Sequence, residues 1–187
     1  MVCASDFETG LVGAAIFAGL LLGALVLSPL SDSIGRKPTH ILGLISFIAG
    51  SGLMVFYVEY WSCVIACLLI GFGMYGRLVV SYLYCLELVD EDSSKVVATI
   101  AMTLNASCSG LVAIYYIFGA RDAEFQTVIS LGITLFSLSM FSCLPESPKL
   151  LYDQGDYDGC RRELSIIAKW NGVKFEPEPF EGETVNA

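Results

Sequence analysis

Apolar residues run almost unbroken through LVGAAIFAGLLLGALVL, Leu11 to Leu27, until the polar stretch SDSIGRKP interrupts them at Ser31 to Pro38. Long oily blocks parted by short polar breaks then recur along the chain. The pattern predicts five membrane-spanning helices, at Leu11–Leu30, Thr39–Val58, Ser62–Leu86, Val96–Phe118 and Phe125–Leu144. Each block holds about 20 residues or more, which at roughly 1.5 Å per residue crosses a hydrocarbon core of about 30 Å. A helix is the form an open chain takes in lipid, because every backbone N–H and C=O must be satisfied within the segment. The pattern changes at DQGDYDGCRRELSIIAKWNG, Asp153 to Gly172, where Cys160, Leu164, Ile167 and Ala168 fall at helical spacing among polar residues. That spacing predicts a short amphipathic helix on the inner membrane surface, ended by Asn171 and Gly172. The last fifteen residues carry two prolines and four glutamates and read as an acidic tail that does not fold alone. The organisation expected is an extracytoplasmic segment (1–10), a transmembrane half-bundle (11–144), a linker and surface helix (145–172) and the tail (173–187). The fold class is an all-α membrane protein with about five transmembrane helices and one amphipathic intracellular helix.

Composition agrees. Of the 187 residues, 55% are hydrophobic and only 16% charged, against roughly a quarter charged in a soluble domain. The net charge of −9 comes largely from the tail and from Asp90, Glu91 and Asp92, and no basic stripe suggests nucleic acid. Lysine and arginine set the orientation. Arg36, Lys37, Lys95, Lys149, Arg161, Arg162, Lys169 and Lys174 fall on one side and only Arg121 on the other, which makes the first side cytoplasmic (or matrix). The opening MVCASDFETG has no positive region leading into a cleavable apolar stretch, so no secretory signal peptide is expected. The membrane is the plasma membrane or an organellar one such as the mitochondrial inner membrane.

Candidate chemistry is sparse. Seven cysteines are an odd number, and Cys63, Cys67, Cys108 and Cys143 sit inside oily blocks, where a thiol serves as a small apolar group. GFGMYG, Gly71 to Gly76, is formally G-x-G-x-x-G, yet it lies within a span instead of after a strand, so it serves helix packing and binds no dinucleotide. Ala15, Gly19 and Gly23 form a similar small-residue stripe. His40 has no metal-spaced carboxylate or cysteine. Asn105-Ala-Ser107 fits a glycosylation sequon but falls inside a span. No catalytic constellation, metal site or cofactor motif is present, so the chain is not expected to be an enzyme. Arg77 is the one charge deep in a span: it contacts an anion or substrate, or it pairs with a partner chain or headgroups. Thr99, Thr103 and Ser107 share one face of the fourth span, as a polar pathway wall or as interhelical hydrogen-bonding groups.

Three stretches together resemble a known family. SPLSDSIGRK resembles the loop between the second and third helices of major facilitator superfamily transporters. YLYCLELVDEDSSK, with Tyr84, Glu87 and Lys95, is similar to the fourth-to-fifth helix junction of the sugar-porter and organic-ion branches, and PESPKLLYDQGDYDGCRRELSIIAKWNG to the Pro-Glu-Ser-Pro motif and intracellular helix after their sixth helix. Order and spacing agree from Glu8 to Gly172. The resemblance implies that Asp32, Gly35, Arg36, Lys37, Glu87, Lys95 and Glu146 form a charge cluster at the cytoplasmic helix ends that opens and closes with transport. It covers only helices two to six of the family's twelve. Ser28 replaces the motif's glycine, Ser33 its first basic residue, and Cys67 the arginine near the start of the fourth helix.

Two functions are therefore carried forward. In the first the chain is transporter-derived, incompetent alone, and acts as an accessory or structural subunit of a larger multi-chain membrane assembly. In the alternative it is half of a small-solute transporter, for organic ions or sugars, completed by a second chain. Both imply the lipid bilayer and other membrane chains as partners, with no cofactor.

Overall fold

A computed structural model describes residues 5–56, 59–118 and 123–175. The described residues form helices and connecting turns, with no strand among them, and five helical segments are long and apolar enough to cross a membrane. These are α1 (Asp6–Ile34), α2 (Arg36–Phe56), a third segment made of α3 (Tyr60–Tyr75), a π-turn (Gly76–Val80) and α4 (Ser81–Glu87), then α5 (Glu91–Phe118) and α6 (Ala123–Ser142). All five expected spans are present. α1 begins earlier than its apolar block because Ser5 and Glu8 form a capping box: the Ser5 hydroxyl accepts from Glu8 N–H, and Glu8 Oε2 accepts from Ser5 N–H at 2.8 Å.

The expected surface helix is present, and a short helix precedes it. α7 (Pro148–Asp153) starts at the N-cap Ser147, with Pro148 in its first turn, and α8 (Tyr157–Trp170) starts at Asp156, whose carboxylate accepts from Gly159 N–H at 3.0 Å. Gly155, at φ +78°, turns the chain between them, a conformation glycine adopts without penalty. α8 ends at Asn171 and Gly172 as the sequence implies. Residues 176–187 of the tail, Arg121 and residues 1–4 lie outside the described residues.

The core is a three-helix packing in which α3 lies between α1 and α2. Small residues make the contact close. A side chain at Gly19 would collide with the backbone of Leu68 and Phe72, and one at Gly71 with the backbone of Ile16. On the other flank a Cβ at Gly73 would stand 2.6 Å from Gly43 O and Phe47 N. The GFGMYG stretch is therefore a packing surface, as expected of small residues within the membrane. α6 packs along α2, while α5 touches α4 and has none of its membrane window buried. Hydrogen bonds from Tyr60 to Glu8 and from Tyr116 to Gln126 join helices at one end of the bundle; the α1–α2 turn, α4 and the segment after α6 meet at the other.

Candidate charge-cluster site

The turn between α1 and α2 is a single glycine. Gly35 has φ +115° and ψ 159°, which a side chain rarely adopts, and a Cβ there would lie 2.9 Å from Glu146 Oε2. Thr39 Oγ1 donates to Gly35 O at 2.8 Å and is fully buried. This turn aims Arg36 across the bundle. Its Nε donates to Glu87 Oε1 at 3.0 Å, its Nη2 lies 2.9 Å from the same oxygen, and its Nη1 reaches Asp32 Oδ1 at 2.5 Å and Ser31 Oγ at 2.8 Å. One guanidinium thus joins α1, α2 and α4. The Arg36 and Glu87 side chains are 13% and 16% exposed, but Asp32 is 68% exposed. The Glu87 pair is accordingly the stronger arm, because water screens the other.

Lys37 and Glu146 are engaged separately. Lys37 Nζ donates to Ser142 O at 2.9 Å and to Leu144 O at 2.7 Å, satisfying carbonyls where α6 ends and placing a cation at its negative pole. Glu146 Oε1 instead accepts backbone N–H groups, from Lys37 at 3.2 Å and Ser147 at 3.1 Å. Beneath it the Tyr84 hydroxyl donates to Pro145 O at 2.5 Å, and Gln154 Nε2 donates to Asp32 O and Ser33 O at 3.2 Å. Six of the seven residues expected in the cluster are brought together. Lys95 is not: it stands exposed near the start of α5, without an ion pair among the described residues.

Nothing in the sequence marked Tyr84 as a contact, or Gln154, Ser31 and His40 as members of this site. The only signal for the last two is their polarity at buried positions of apolar helices. His40 is 3% exposed, lies against Phe141 with ring centroids 4.0 Å apart and planes tilted by 38°, and has Nδ1 3.0 Å from Gly76 O, a pairing in which Nδ1–H donates. Two of the three departures from the motif are accommodated inside the fold. Ser28 Oγ hydrogen-bonds Tyr75 OH at 2.7 Å, and Cys67 is buried at 3% exposure. Ser33 bonds back to Leu30 O at 3.1 Å.

The intramembrane candidates lie apart. Arg77 sits on the π-turn with its guanidinium 4.3 Å from the Phe47 ring centroid. Burying arginine at a helix centre costs about 2.5–3.5 kcal/mol on insertion scales, and a cation–π contact returns about 0.5–2 kcal/mol of it. The hydroxyls of Thr99, Thr103 and Ser107 each donate to the carbonyl four residues back, at 2.8, 2.7 and 2.7 Å, and face outward from α5. Their donors are thereby satisfied within the helix. No group of three metal-ligating side chains occurs among the described residues.

The model of the sugar (and other) transporter family matches residues 2–179. The chain belongs to that family. Within the major facilitator superfamily, its relatives span both branches that the motifs resemble. The chain is 28% identical to the organic cation transporter protein of Drosophila melanogaster over 97% of its own length and 33% of the relative's. With the organic cation/carnitine transporter 4 of Arabidopsis thaliana it shares 30% identity, over 92% of the chain and 33% of the relative. With the D-xylose transporter of Levilactobacillus brevis it shares 25%, over 92% and 38%. The chain thus spans about a third of the length of these relatives. They are transporters, and this family member is a multi-pass membrane protein.

Proposed function

We propose that this chain is the latched helix bundle of a carrier for small organic ions or sugars, and that it moves solute only together with a complementary bundle. The observation that supports this is the Arg36 junction, where one side chain of α2 holds Ser31 and Asp32 of α1 and Glu87 of α4 at once. A loop that merely satisfied the positive-inside rule would leave those groups in water. Alternating access requires two repeats that rock about a site between them, so helices tied at one end form the rigid unit such rocking needs. The lysines and arginines around the junction favour the cytoplasmic face for it. The solute classes are those for which the relatives are named, organic cations and D-xylose.

The test is uptake of labelled tetraalkylammonium and labelled D-xylose. Proteoliposomes holding the chain alone should take up neither. Cells expressing the chain fused to the remaining helices of a relative should take up one of them, and Arg36→Ala should lower that uptake at least tenfold at equal membrane abundance. Uptake by the chain alone, or a fusion indifferent to Arg36→Ala, would overturn the proposal. A second reading, an accessory subunit in a multi-chain assembly, is favoured by Cys67, buried where the motif has an arginine, and by the uncovered flank of α5. Stoichiometric copurification of other membrane chains in mild detergent supports that reading; a lone monodisperse 20.2 kDa species counts against it.

A further inference from the structure

Between the π-turn, α4 and α5 lies a cavity of about 610 Å³, lined among others by Arg77, Ser81, Tyr82, Cys85, Met102 and Asn105. Its size falls within the range of about 300–1,000 Å³ typical of small-molecule sites, and its walls are mostly apolar with a few polar groups. Arg77 precedes Glu87 by ten residues, and Phe47, under its guanidinium, follows Arg36 by eleven. At roughly 1.5 Å per residue both lie about 15 Å below the charge cluster. The side chain is therefore held at depth by the ring and does not extend to the surface as long cationic side chains usually do. Among the described residues no carboxylate lies within ion-pairing distance of it. The aromatic face supplies a quadrupole but no net negative charge. What the site lacks is an anion.

We propose that this cavity binds a small amphipathic organic anion, its carboxylate on the Arg77 guanidinium within reach of Asn105 and its apolar body against Leu78, Met102 and Ala106. The lining contains one cation and no carboxylate, so the same cavity repels an organic cation of equal size. The chain would in this respect be opposite in charge preference to the relatives named for organic cations. The inference rests on the carrier reading only where the bound anion is called a substrate; binding can be measured on the chain alone.

The experiment uses two photoreactive probes with the same eight-carbon diazirine tail, one ending in carboxylate and one in trimethylammonium, on the full chain purified in detergent. The carboxylate probe should label residues 78–85 and 101–106 at least tenfold more than the ammonium probe, and octanoate should compete it away. Arg77→Gln should reduce that labelling to the ammonium level, and Arg77→Lys should keep part of it. Ala106→Trp fills the cavity, leaves the arginine in place, and should abolish labelling with an unchanged elution profile, so the proposal remains testable even where Arg77→Gln does not fold. Equal labelling by both probes, or labelling unmoved by Arg77→Gln or Ala106→Trp, would overturn it. So would displacement by phosphatidylglycerol but not by octanoate, since that outcome assigns the arginine to a lipid headgroup. Lost labelling leaves the uptake test intact, and failed uptake leaves the binding result intact.

Discussion

Arg36 has two carboxylate partners in unlike surroundings, and the difference sets what each substitution should do. Arg36→Ala leaves the sheltered Glu87 unpaired, which should cost toward the lower end of about 3–5 kcal/mol. Asp32→Ala removes the exposed arm and should cost below about 1 kcal/mol. Double-mutant cycles read by denaturation in mixed micelles check both, and equal coupling energies would contradict the assignment. Gly35→Ala meets both an unfavourable backbone conformation and the Glu146 carboxylate, for an expected loss of about 1–3 kcal/mol in the same assay. Cys160, on the surface helix, is 3% exposed, and burial raises its thiol above the usual range. Less of it is thiolate at pH 8 in the folded protein than in the unfolded chain, so a soluble maleimide should modify it slowly until the protein is denatured. The charged residues of this cluster were legible in sequence because their spacing repeats a known motif. The role of Lys37 was not: its partners are backbone carbonyls at the end of α6, and no side-chain identity marks a backbone acceptor.

At the scale of helices, glycine decides which surfaces meet. Gly19 and Gly71 allow the α1 and α3 backbones to touch, so Gly19→Leu should force them apart and cost about 1–3 kcal/mol or more, whereas Gly13→Leu, on an open face, should be nearly neutral. Comparing melting temperatures of the two variants in one detergent separates packing from simple hydrophobicity. The polar ladder of α5 behaves differently. Because Thr99, Thr103 and Ser107 bond to their own helix, Thr103→Ala should shift stability by less than about 0.5 kcal/mol. A larger loss would mean that the hydroxyl serves a neighbour. The ladder was readable from fourfold spacing alone, but the direction it faces depends on which side of α5 meets α4. The π-turn at Gly76–Val80 was invisible for a related reason: it forms where α3 comes against Gly43, a contact between distant parts of the chain.

For the whole molecule the alternation of oily blocks and polar breaks specifies an up-and-down bundle, and the contacts agree, since the three motif segments converge at one end. Single cysteines at Ser33 and Asp158 should therefore react with a membrane-impermeant reagent from the same side, and one at Glu59 from the other. Labelling of Ser33 and Asp158 positions from opposite sides would contradict the topology. Number of spans, their approximate limits, the amphipathic character of the surface segment and the family motifs all followed from the chain itself. They rest on local quantities, length against bilayer thickness, periodicity and residue type, which require no knowledge of neighbours. The tertiary structure alone decided that Glu146 gathers backbone N–H groups, that Lys95 stays outside the cluster, that the surface segment breaks at Gly155, and that Arg77 lies over Phe47 beside a cavity. Each of these depends on groups brought together from far apart in sequence, and in a membrane interior, where hydrophobic patterning is nearly uniform, only close packing distinguishes one neighbour from another.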